Sequence, residues 1–186
     1  MNTLTPRQKD FLRLVAATAV KAAAQGEPAP PVADLAATAG VPLEGALARK
    51  AGAFVTLRRD GRLRGCIGYI EGIKSLAAAV ADNGRSAAVG DPRFSPVTPD
   101  EVDRIQIEIS ALTPLREAHG PEEIEVGTHG ILLEKEGRAA VFLPQVATEQ
   151  GWDRDTTLDQ LALKAGLRPG DWRQGARFRI FEAEVF

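Results

Sequence analysis

Hydrophobic and polar positions alternate most cleanly at Ile105-Gln106-Ile107-Glu108-Ile109-Ser110-Ala111. A period of two is that of a half-buried strand. Ile105, Ile107 and Ile109 should face a core, and Gln106, Glu108 and Ser110 solvent or a cleft. Upstream, Phe54-Val55-Thr56-Leu57 is apolar and β-branched, and it runs into Asp60-Gly61. Asp-Gly between apolar runs is a strong hairpin signal. The pattern therefore predicts an antiparallel pair over residues 53–70. Simple alternation along its second strand puts Leu63, Gly65, Ile67 and Tyr69 on one face and Arg64, Cys66 and Gly68 on the other. A second strand pair is predicted from Ile131-Leu132-Leu133 through Glu136-Gly137 to Ala139-Ala140-Val141-Phe142-Leu143. A last strand covers 178–186.

Helical periodicity fills the gaps. Thr5-Pro6-Arg7-Gln8 carries a capping box with proline at the first helical position. Phe11, Leu14, Val15, Thr18 and Ala22 then fall on one face, and Gly26 ends the helix. Residues 32–50 read as two short helices broken at Gly40-Val41-Pro42. Ser75 caps a helix whose apolar face holds Leu76, Val80 and Ala87. Gly84 inside it costs about 1 kcal/mol relative to alanine and admits a closely packed neighbour. Gly90-Asp91-Pro92 ends it. Thr98-Pro99-Asp100-Glu101 is another capping box, opening a short helical turn. Residues 115–121 read as a polar loop containing His119. Short helices at about 145–150 and 156–165 stop at Gly151 and Gly166.

Strands, then helices, then a strand thus occurs twice. The fold class is α+β, two-lobed, with mainly antiparallel sheets and helices packed on them. Two β-α-β-type halves, 1–113 and 114–186, are expected around a cleft.

Composition narrows the function classes. The 186 residues carry a formal net charge of -2, so no bulk attraction to nucleic acid or anionic membrane is implied. The single cysteine excludes an intrachain disulfide and a multi-cysteine zinc site. Two histidines far apart make no metal-ligand spacing, so neither metal nor cofactor is assigned. Arg7, Lys9, Asp10, Arg13 and Lys21 interrupt the first apolar stretch, which fits neither a signal peptide nor a membrane span. A cytoplasmic protein is expected.

The densest chemistry lies at Gly61-Arg62-Leu63-Arg64-Gly65-Cys66-Ile67-Gly68. A thiol attacks as thiolate, which a guanidinium favours. Glycine within a strand marks a bulge or a close approach. Cys66 thus reads as a nucleophile or redox thiol with Arg64 as electrostatic partner and His129 as candidate base. It reads equally as a small buried hydrophobe. Asp91 and Arg93 pair with each other or clamp an anionic group bidentately. Glu108, Gln145 and Lys164 are further candidates for ligand contact. A different class of function, a binding or adaptor module, would use Arg58, Arg59, Arg62 and Arg64 to hold an anionic ligand, a nucleic acid or an acidic partner surface.

Leu63-Arg64-Gly65-Cys66-Ile67-Gly68 resembles the signature of the AMMECR domain, called AmmeMemoRadiSam system protein A in bacteria and archaea. Phe54-Val55-Thr56-Leu57, Asp91-Pro92-Arg93-Phe94, Leu143-Pro144-Gln145-Val146, Gly151-Trp152-Asp153 and Lys164-Ala165-Gly166-Leu167 follow in the family's order. The resemblance spans about residues 10–186. It implies a two-lobed α+β fold with the signature near a cleft. It also implies association with a Memo-like protein, similar to extradiol dioxygenases, and with a radical SAM protein. It implies no assigned reaction. A small-molecule ligand for Cys66 is the expectation, and nucleic acid and membrane are not expected as partners.

Overall fold

The computed structural model describes residues 4–186 and divides into two compact units. The first runs to Leu112 and takes back Glu184–Phe186; the second is Thr113–Ala183. No helix among the described residues is long and apolar enough to cross a membrane.

The first unit contains helices α1 (Pro6–Gln25), α2 (Val32–Ala39) and α3 (Leu76–Val89) and strands β1 (Ala53–Arg59), β2 (Arg62–Tyr69) and β3 (Ile105–Leu112). The Thr5 capping box forms as predicted, with Gln8 closing it. The buried face of α1 is wider than expected and turned. Phe11, Leu12, Val15, Ala16, Ala19 and Val20 are inside, whereas Leu14 is exposed. The helix must cover α3 as well as the sheet, so a second stripe of small residues turns inward. Gly84 explains that contact: a Cβ there would stand 3.2 Å from the Ala16 carbonyl oxygen and 3.4 Å from the Ala19 methyl.

Residues 41–49 do not form the second short helix. They make turns, held by bonds such as Leu47 N–H to Glu44 C=O at 3.2 Å. Gly45 takes a left-handed φ of 55°, and Pro42 lacks the donor a continuing helix needs. Thr98 does open a helical turn, but of the tighter 3-10 kind, over Pro99–Arg104.

The first sheet has the order β2-β1-β3-β8, where β8 is Ala183–Val185. β1 pairs antiparallel with both β2 and β3. Asp60 and Gly61 have φ of 53° and 75°, the paired positive values of a two-residue hairpin turn. Val55, Leu57 and Ile109 are fully buried on the side where α1 and α3 pack. Each contributes about 1.5–3 kcal/mol by leaving water.

The second unit holds the sheet β4-β7-β5-β6. Its strands are β4 (Arg116–Ala118), β5 (Gly130–Lys135), β6 (Arg138–Phe142) and β7 (Arg177–Phe181), all antiparallel. Helices α4 (Pro144–Gln150) and α5 (Arg154–Lys164) follow β6. The core of this unit gathers Ile131, Leu133, Leu158, Leu161, Trp172 and Ile180. Two predictions are corrected here. The loop at 115–121 contains the short strand β4, which pairs with β7. The single strand expected over 178–186 is two: β7 serves the second sheet, and β8 leaves for the first. Phe186 exchanges both backbone hydrogen bonds with Ile109, at 2.8 and 3.0 Å.

Candidate functional site

The hairpin register contains a bulge. Leu57 pairs with Gly65, but Arg58 pairs with Leu63, so Arg64 is the extra residue. The bulge breaks the simple alternation. Leu63, Cys66 and Gly68 pair with Arg58, Thr56 and Phe54, and so share the face away from the helices. Gly65 and Ile67 pair with the buried Leu57 and Val55 on the helix face. Gly65 has to be glycine there, because a Cβ would come within 2.2 Å of the Ala87 carbonyl oxygen of α3. Gly68 lies under the Phe54 ring, 2.2 Å from where its Cβ would be.

Arg64 therefore turns to other partners than Cys66. Its guanidinium binds Glu101 twice, at 3.1 and 2.9 Å, and donates to the carbonyls of Ser95 at 2.8 Å and Pro96 at 3.2 Å. Arg59 joins the same carboxylate. Hydrogen bonds from Arg64 and the Thr98 N–H pull Glu101 down to about 2, against the desolvation that burial imposes. The four-arginine cluster is thus divided. Arg59 and Arg64 are neutralised by Glu101, Arg58 lies on the other sheet face, and Arg62 is exposed.

The guanidinium beside Cys66 is that of Arg93. β2 is an edge strand, and Cys66 turns its N–H and C=O away from β1. Asp91 Oδ2 accepts that N–H at 2.9 Å, and Arg93 donates to the carbonyl at 3.4 Å. Asp91 also accepts from the Arg93 backbone at 3.1 Å and from its guanidinium at 2.9 and 2.7 Å. The Asp91 side chain is 2% exposed and the Arg93 side chain 56%. The Arg93 guanidinium holds the Asp91 carboxyl well below the usual range, although burial opposes this. Together the two residues do for the Cys66 peptide what a further strand would do, which also blunts an open sheet edge.

The half-buried Cys66 sulfur has a polar neighbour on its own face. Thr56, opposite it on β1, donates its hydroxyl to Sγ at 3.3 Å. Glu108 stands opposite Thr56 on β3, so Cys66, Thr56 and Glu108 form a row across three strands. Ser110 lies on the same face and is 2% exposed.

Cys66, Asp91, Arg93 and Glu108 are thus brought onto or beside one sheet edge and face. The other sequence candidates belong to the second unit. The His129 imidazole Nδ1 accepts the Glu125 N–H at 3.1 Å, closing a turn. Gln145 opens α4. Lys164, the last residue of α5, donates to the Val141 carbonyl at 2.9 Å and lies 5.0 Å above the Phe142 ring. Thr56 and Glu101 belong to the site's surroundings but were not singled out from the sequence. Glu101 was visible only as a helix cap, a role it also fills by accepting the Thr98 N–H at 3.0 Å.

Two antiparallel sheets in separate units, with an edge strand clamped by an Asp-x-Arg turn, define a two-unit α+β protein whose single cysteine lies on that strand. The chain belongs to the AMMECR1 family, whose sequence model matches residues 12–186. Protein MK0488 of Methanopyrus kandleri is 46% identical over 150 residues, covering 75% of this chain and 72% of that protein. Protein TK0174 of Thermococcus kodakarensis is 43% identical over 148 residues, with 74% and 72% covered. The crystal structure of the uncharacterized protein PH0010 from Pyrococcus horikoshii matches all of this chain and 93% of its own. Its TM-score is 0.83 at 33% identity.

Proposed function

We propose that Cys66 is the working thiol of a small-molecule site, and that the protein is an enzyme or enzyme subunit built around it. The observation that carries this reading is the Thr56 hydroxyl donating to Sγ at 3.3 Å. A donor aimed at sulfur lowers the free energy of the thiolate, the form that reacts. Arg93, paired with Asp91, donates to the carbonyl of the same peptide, and Asp91 and the edge position hold that peptide in place. The family resemblance adds a Memo-like protein and a radical SAM protein as partners in the reaction, in the cytoplasm, where a free thiol stays reduced.

The test is the rate of iodoacetamide labelling of the native protein at neutral pH. The reading expects labelling without denaturation. Cys66→Ser should keep the fold and remove the labelling. If the native thiol labels only after unfolding, Cys66 is a packing residue and the proposal fails.

A further inference from the structure

We propose that the second unit carries a binding slot for a small planar heteroaromatic molecule bearing N–H donors, between His119 and the Trp172–Arg173 turn. The slot lies within that unit and involves none of the residues around Cys66, so it stands or falls independently of the thiol reading.

The cavity measures about 500 Å³, within the range of small-molecule pockets. It exists because small residues meet there. Ala118 faces Phe178 across the β4–β7 pair, and Gly175 and Ala176 leave one side open. Its two walls are braced. Glu123 holds the first wall by accepting the His119 backbone N–H at 3.2 Å and the Arg116 guanidinium at 3.1 Å. The second wall is the Trp172 indole, whose Nε1 donates to Asp159 at 2.6 Å and whose ring meets Phe178 edge-on at 6.3 Å. A slot held this way needs little ordering when a ligand arrives.

The ligand class follows from what remains available. The Arg173 guanidinium sits over Trp172, 4.2 Å from the ring centroid, with its side chain 48% exposed. A guanidinium plane stacked on one aromatic ring offers its outer face to a second. His119 lines the same slot and carries the other flat side chain. Charge decides between ligands. Arg173 meets two carboxylates, Asp155 at 2.8 Å and Asp159 at 3.6 Å. One cation against two anions disfavours an anionic ligand and favours hydrogen-bond donors. Asp155, with a side chain 65% exposed, is the acceptor placed to take them.

The experiment uses the full chain with adenine as probe and benzoate as the anionic control. Saturation-transfer NMR reads the ligand. Fluorescence in a Trp152→Phe background reads Trp172 alone. Adenine should bind saturably with a Kd at or below about 1 mM and quench Trp172, while benzoate stays silent. Ala176→Leu, which fills the slot, and His119→Ala, which removes a wall, should each weaken binding at least about fivefold, or roughly 1 kcal/mol. His119 lies on an exposed turn, so that variant carries the comparison if Ala176→Leu fails to fold. No saturable adenine binding, binding unchanged in the folded variants, or benzoate binding in its place would each overturn the proposal.

Discussion

The Asp91 carboxylate accepts the backbone N–H of Cys66 at 2.9 Å, across 25 residues of sequence. It joins the turn after α3 to the open edge of β2 and fixes the peptide that carries the only thiol. A buried carboxylate with three further hydrogen bonds, all from Arg93, is costly to disturb.

Asp91→Ala should destabilise the protein by about 2–4 kcal/mol, since it strands the Cys66 donor and frees Arg93. Urea unfolding at neutral pH measures this. A loss under about 0.5 kcal/mol would mean that water replaces the carboxylate without cost.

The same residue sets an acid limit. Its folded pKa is depressed by Arg93, so its contribution is complete above the unfolded value of about 4 and disappears as pH falls through the lower folded value. Glu101, drawn down to about 2, acts in the same direction. Stability should be flat in this respect near neutrality and decline below about pH 4. Asp91→Asn should flatten part of that decline. Midpoints of urea unfolding taken from pH 7 to pH 3 show whether it does.

Arg93 and Arg64 should separate by function. Arg93→Ala should slow iodoacetamide alkylation of Cys66 at neutral pH by about two- to fivefold, the modest coupling of a half-exposed cation. Arg64→Ala should change that rate by less than about twofold while lowering stability by about 1–3 kcal/mol, because Glu101 loses both Arg64 bonds and keeps only Arg59. The reverse pattern would place the wrong arginine beside the sulfur.

Thr56→Val keeps the β-branched shape and removes the hydroxyl that donates to Sγ. Iodoacetamide labelling at neutral pH should slow. An unchanged rate would leave the 3.3 Å contact without chemical effect.

Gly65→Ala would drive a methyl to within 2.2 Å of the Ala87 carbonyl oxygen, a backbone atom that cannot swing aside. Overpacking of this kind should cost at least about 2 kcal/mol. The comparison is Gly84→Ala, where the nearest atom, the Ala16 carbonyl oxygen, stands 3.2 Å away. Thermal unfolding of the two variants should rank Gly65→Ala as the more damaging.

Local chemistry made much of the fold legible. The Thr5-Gln8 capping box, the Asp60-Gly61 hairpin turn and the Ile105–Ile109 alternation act within a few residues, and each formed as read. The helix at 41–49 failed because a left-handed Gly45 and Pro42 outweighed an alanine-rich composition. The last strand divided because its pairing partners belong to different sheets, and strand pairing is settled by distant segments.

At the site the division is sharper. Local pattern along the chain places Cys66 on a strand of a glycine-rich hairpin and Asp91 and Arg93 in one turn. Which cation accompanies the thiol depends on contacts between distant segments. One bulge at Arg64 shifted the side-chain phase, because a strand repeats every two residues and a single insertion exchanges its faces. Arg64 then met Glu101, and the turn after α3 folded back to bring Arg93 to the Cys66 carbonyl. That contact joins segments separated by a whole helix, and no local pattern along the chain encodes it.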